Sequence, residues 1–169
     1  MNKKSVLSIL GVIVVVVLLL IGFTTIKNEY QNPIKNYFKG IQKADINVYT
    51  KAFPDFMKVD KTVSKDSLKQ DLDELKVEYG DKIKIKYEIT SKEKLDEGSL
   101  RTMENFIEKR YNKKVNISEG YTLKIKTTLK GSKDSNIDNP TMHVYKIDGK
   151  WKYMPFSPES VKIYLTENE

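Results

Sequence analysis

One imidazole and no thiol limit the chemistry open to this chain. His143 is the only histidine among 169 residues, and cysteine is absent. Imidazole changes charge nearest neutral pH, so a lone histidine is the first candidate for a general base. A triad would also need a recognisable nucleophile and an orienting acid, and no such motif accompanies His143. Alternation along residues 141–147 puts His143 on the face of Tyr145, opposite Met142 and Val144. The plainer reading is a sheet-face residue with no chemical role. The missing cysteines exclude disulfides, thiolate zinc sites, iron–sulfur clusters and lipid attachment through an N-terminal cysteine. Asp71-x-Asp73-Glu74 and Asp134-x-x-x-Asp138 lack the alternating oxygen ligands, central glycine and terminal glutamate of an EF-hand loop. The Asp71 group reads as the solvated outer face of a helix. No glycine-rich phosphate loop is present. These residue types point to no catalytic residue, no metal and no cofactor.

Lysine is the remaining pattern. Lys82, Lys84 and Lys86 line the polar face of one alternating segment, and Lys124 and Lys126 line another. Lys109, Arg110, Lys113 and Lys114 cluster after a helical stretch. One reading is solubility: lysines blunt sheet edges, and basic residues suit a helix C-terminus. The functional reading is a cationic surface that meets anionic lipid heads or wall polymers, at up to about 1 kcal/mol per lysine near a membrane. Lys and Arg total 30 against 23 acids, a net +7, and only Arg101 and Arg110 are arginine. Lysine lacks the planar fork that reads phosphate or guanine bidentately, so nucleic acid is not an expected partner.

The elements that position these residues follow from periodicity. Asn32-Pro33 reads as a cap and first helical turn, with Ile34, Tyr37, Phe38 and Ile41 on one apolar face. Asp45 caps a second short helix carrying Val48, Tyr49, Ala52 and Phe53, which Pro54 ends. A third helix starts near Ser64 or Ser67, buries Leu68, Leu72 and Leu75, and stops at Gly80. Residues 82–90 then alternate strictly, as a half-buried strand does, with Ile83, Ile85, Tyr87 and Ile89 on one face. A helix capped near Ser99 follows, with Leu100, Met103, Phe106, Ile107 and Tyr111 inward. Residues 121–130 alternate again, and 131–139 read as a polar loop. Strands 141–147 and 150–154 are joined by Asp148-Gly149, a strong hairpin signal.

Residues 5–26 carry no charge and match the roughly 30 Å hydrocarbon core of a bilayer. A cleaved signal peptide is the competing reading. The apolar run is longer than the usual signal core, and no Ala-x-Ala site follows it. Lys3 and Lys4 place the N-terminus in the cytoplasm. The expected organisation is a cytoplasmic N-terminus (1–4), a transmembrane helix (5–26), a short linker (27–31), an extracytoplasmic domain (32–165) and a tail (166–169). The expected location is a cell membrane, single-pass. The 28 basic and 23 acidic residues past the apolar segment leave that part mildly basic.

Helices first, then a mostly antiparallel sheet with one inserted helix, make an α+β arrangement. The opening NPIKNYFKGIQKADINVYTKAF and the ending TMHVYKIDGKWKYM, a hairpin with Trp151 on its return strand, resemble NTF2-like (cystatin-like superfamily) domains. The whole plan is similar to membrane-anchored envelope proteins of low-GC Gram-positive bacteria. The resemblance spans roughly residues 32–154 and implies a cone, a curved sheet wrapped around helices. That superfamily includes enzymes, binding modules and assembly subunits, so the resemblance implies fold better than function. Its ketosteroid-isomerase-type enzymes use an acid in the cone and an oxyanion-binding tyrosine. Here Asp45 lies near the helix turn, but no acid sits on an apolar strand face, and Tyr37, Tyr49 and Tyr87 read as core aromatics. The expected role is a non-catalytic binding module whose partner is an envelope protein or an anionic wall or lipid component. The alternatives are a subunit of an envelope or conjugation-type assembly, and a small cone-pocket enzyme.

Overall fold

Chain entry is set by a 3-10 turn, Glu29–Gln31, that runs directly into α1 (Asn32–Lys43) in the computed structural model, which describes residues 29–59 and 63–167. Gln31, not Asn32, occupies the cap position. Its backbone is already helical (φ −81°, ψ −19°) and it makes no side-chain cap bond, because the turn continues into the helix. Tyr30 in this turn packs on Tyr121 and Trp151, at 5.3 and 6.2 Å between ring centres. The expected face of α1 is observed, with Ile34, Phe38 and Ile41 buried.

Asp45 caps α2 (Ile46–Tyr49), its Oδ1 accepting from the Asn47 and Val48 N–H groups at 2.9 and 3.2 Å. The helices meet closely because residue 40 is glycine: a Cβ there would lie 2.5 Å from Tyr49 Cα. A 3-10 turn (Thr50–Ala52) and Pro54 follow. A further helix, α3 (Asp55–Val59), then begins where the sequence suggested only an end. α4 (Lys65–Tyr79) starts with a reciprocal Ser64–Ser67 capping box and stops at Gly80.

The sheet is β1 (Lys84–Lys94), β2 (Ile117–Lys130), β3 (Ser135–Asp138), β4 (Thr141–Ile147) and β5 (Lys150–Met154). Its order is β1-β2-β4-β5, with β3 beside the far end of β2, and every pairing is antiparallel. Register breaks at Ile89/Ser91 and Ile117/Glu119 mark bulges, which bend strands. Asp148 and Gly149 take φ 48° and 78° in the β4–β5 turn, as a two-residue turn with both central φ positive requires. α5 (Glu97–Tyr111) is capped by Asp96, whose carboxylate accepts from Ser99 N–H at 2.7 Å. Ser99 is thus the donor, not the cap. A last helix, α6 (Pro158–Glu167), follows β5.

Helices cover both faces of the sheet. On one, Ile34 and Phe38 of α1 pack with Leu123, Ile125, Met142 and Val144. On the other, Leu100, Met103, Phe106 and Ile107 of α5 and Val161 of α6 pack with Ile117, Tyr145, Ile147 and Met154. Burying each such aliphatic side chain stabilises the fold by about 1.5–3 kcal/mol. Segment 49–57 joins the second cluster through Phe53 and Met57, with Phe53 against Tyr153 of β5 at 5.3 Å.

The expectation of a membrane-spanning fold is corrected. Residues 5–26, which carried it, lie outside the described residues, and among those described no helix is long and apolar enough to cross a membrane. α4 and α5 have 15 residues each, about 22 Å against a core of about 30 Å. The observed architecture is α+β, a curved antiparallel sheet with helices. A single-pass cell-membrane location, with cytoplasmic N-terminus and extracytoplasmic domain, does not stand on it.

Candidate functional site

An apolar cleft of about 220 Å³ opens between α1, α4 and the far end of the sheet, walled by Tyr37, Phe38, Leu75, Ile85, Leu129 and Tyr153. Its tyrosines lead to an acid that the sequence placed in solvent. Asp71 is half-buried and accepts a hydrogen bond from Tyr49 Oη to its Oδ2 at 3.0 Å. Burial raises its carboxyl above the usual range; the Tyr49 bond opposes that shift, and Glu74 reinforces it. Tyr37 is pushed up to about 12, by burial first and then by Asp71. Tyr49 and Tyr153 are raised further, again mainly by burial. Tyr37 meets Tyr49 and Tyr153 at 5.6 and 5.2 Å between ring centres. The phenols stay protonated, and the carboxylate is engaged by Tyr49. Helical spacing of Leu68, Leu72 and Leu75 suggested an outward Asp71, because it could not show that α2 packs Tyr49 against that flank of α4.

His143 is 9 % exposed, and its Nδ1 lies 3.2 Å from Thr122 Oγ1, the residue opposite it on β2. Burial lowers its pKa, against a smaller upward pull from Glu159. It shares a face with Tyr145, as alternation indicated, but β4 is buried on both faces: Val144 and Tyr145 are each 0 % exposed. His143 borders a polar cleft of about 460 Å³ with Glu93, Asp96, Ser99 and Glu159. Among the described residues, no group of three or more His, Asp or Glu side chains is placed to hold a metal.

The lysines separate into two groups. Register places Lys84 opposite Lys130, Lys86 opposite Thr128, Glu88 opposite Lys126 and Ser91 opposite Lys124. Side chains directly opposite share a face, so Lys84, Lys86, Lys124, Lys126 and Lys130 lie together with Glu88, and Glu93 follows on the same face beyond Ser91. All are exposed, and α5 and α6 cover only the other half of this face. Among the described residues none of the five lysines forms an ion pair within 4.0 Å. Lys130 was not singled out from the sequence, because only the strand register reveals its partner. Lys82 precedes β1 in a left-handed turn (φ 58°).

The second group stands apart. Lys113 and Lys114 precede Ile117, and Ile117 is separated from Lys124 by about 23 Å of strand. Arg110 lies over the rings of Phe106, Tyr111 and Phe156 at 5.6–6.0 Å, and Lys114 pairs with Glu108 at 3.4 Å. Lys113 and Lys114 line a groove of about 400 Å³ with Lys150 and Lys152, which the sequence gave no reason to join. The nine basic residues of the expected anionic contact therefore do not form one surface.

Comparison with known proteins returns no matching family model, no matching curated protein and no matching solved structure. The resemblance to NTF2-like domains rests on the sequence pattern alone.

Proposed function

We propose that this domain is a non-catalytic binding module that engages an anionic partner through the lysine-bearing face of β1 and β2. The observation that carries this reading is the register: Lys84 lies directly opposite Lys130, with Lys86, Lys124 and Lys126 on the same exposed side. Like charges facing each other across strands destabilise a sheet, by roughly 0.2–1 kcal/mol per pair. An anionic partner converts that cost into attraction.

Two further observations support binding over the alternatives. The half-buried Asp71 is not among the residues that wall the apolar cleft and is bonded to Tyr49 instead, which favours a packing role for it. Among the described residues the large apolar side chains left more than half exposed, Val59, Val77, Ile137 and Ile163, sit on α3, α4, β3 and α6, and none of them lies on β1 or β2.

Polyglutamate serves as the anionic probe, titrated against the full-length chain by fluorescence anisotropy at several salt concentrations. Lys84, Lys86, Lys126 and Lys130 replaced together by glutamine should weaken binding by about tenfold or more and flatten its salt dependence. Replacing Lys109, Lys113 and Lys114 by glutamine should change it far less. Equal losses from the two sets, or none from the first, would sink the proposal.

A further inference from the structure

The two edges of the sheet are treated differently. β5 is shielded: Phe53 packs on Tyr153, and Lys152 Nζ donates to the Lys51 carbonyl at 3.4 Å. β1 is eleven residues long and pairs only with β2, so its other side is an open edge.

The phase of that edge can be read from two hydrogen bonds. Ile85 N–H donates to Gln42 Oε1 at 3.4 Å, so Ile85 turns its backbone groups away from β2. Antiparallel pairing alternates, so Tyr87 and Ile89 turn theirs outward as well. Beyond the bulge at Thr90, Leu95 N–H donates to the Gly120 carbonyl at 2.9 Å, which points it inward and leaves Lys92 and Lys94 outward. Residues 84–89 thus offer about 20 Å of strand whose outward amides at Tyr87 and Ile89 face no other strand.

Side chains flanking this edge differ in kind. Ile85, Tyr87 and Ile89 form a half-buried apolar rim on the α1 face, with Tyr87 stacked on Phe38 at 4.8 Å. Lys84, Lys86 and the acid Glu88 flank it on the opposite face, with Lys126 and Lys130 behind them on β2. A strand laid along β1 would set alternate side chains beside the apolar rim and the others beside the lysines.

We infer that the edge of β1 accepts an extended segment of a partner protein in which acidic and apolar residues alternate, joining the sheet by backbone hydrogen bonds. This strand addition rests on the binding role proposed above and names its partner. The charge complement selects an acidic strand, and the rim of Ile85, Tyr87 and Ile89 fixes which of its faces is apolar.

The experiment uses the full-length chain and a ten-residue peptide alternating glutamate and valine. Amide hydrogen exchange at Tyr87 and Ile89 should slow by about tenfold or more with saturating peptide, while Lys86, already bonded to β2, changes little. Exchanging the charges, with Lys84→Glu and Lys86→Glu together, should transfer the protection to a lysine–valine peptide, which also shows that the variant is folded. A glutamate–valine peptide that binds without slowing Tyr87 and Ile89 overturns the strand addition and leaves the anionic-partner reading standing. Loss of binding to both this peptide and polyglutamate overturns both.

Discussion

Asp71 is held at an energetic cost. Its carboxylate loses hydration on the flank of α4, and the single Tyr49 hydrogen bond offsets only part of that loss. A carboxyl whose pKa is raised by folding binds its proton more readily in the folded chain. The contribution of Asp71 to stability is therefore most favourable below the unfolded value of 3.8 and declines as pH rises through the folded value. Asp71→Asn keeps an acceptor for Tyr49 and removes the charge. It should raise the free energy of unfolding at pH 7, with the gain fading as pH falls and gone below 3.8. Urea unfolding at pH 7 and pH 3.5 checks this; a less stable variant at pH 7 would mean that the carboxylate stabilises the fold. The sequence could not reveal this environment, because helical periodicity shows which residues face the core and not which helix packs against the flank. The lone histidine was easier. Alternation assigned its face correctly, while the burial of both faces of β4 depends on α5 and α6 packing on the face of Tyr145 and Ile147, which periodicity does not show.

Elements with explicit stop and start chemistry were legible: Asp45 before α2, Ser64 before α4, and Asp148-Gly149 between β4 and β5. Those without it were missed. β3 is four exposed residues, three of them polar, that count as a strand only because β2 extends far enough to pair with them. α3 was missed because a proline after one helix can equally precede the next. Register was the most consequential omission, since alternation identifies a strand's face without saying which residue lies opposite. Lys130→Glu exploits that register. It places an acid opposite Lys84 and should stabilise the chain by roughly 0.2–1 kcal/mol while weakening polyglutamate binding. Thermal unfolding and anisotropy on the same sample read both effects. A variant that loses stability, or binds polyglutamate as tightly as before, would remove the argument that these lysines are kept together for a ligand.

At the scale of the whole molecule, an α+β order of helices, strand, inserted helix and strands could be read from the sequence. The distribution of cover could not. Whether a helix lies on one face, both faces or an edge depends on contacts between residues far apart in the chain. The sheet is covered on its α1 face and on half of the other, is shielded along β5, and is left open along β1 and the adjoining lysines. The proposed binding role depends on that asymmetry. Its most direct test is a nuclear magnetic resonance titration of the full-length chain with polyglutamate, following every assigned backbone amide. The largest shifts should fall on Lys84, Lys86, Lys124, Lys126 and Lys130 and recede as salt is added. Shifts centred instead on Lys109, Lys113 and Lys114, or on the cleft beside Tyr37 and Tyr153, would contradict it.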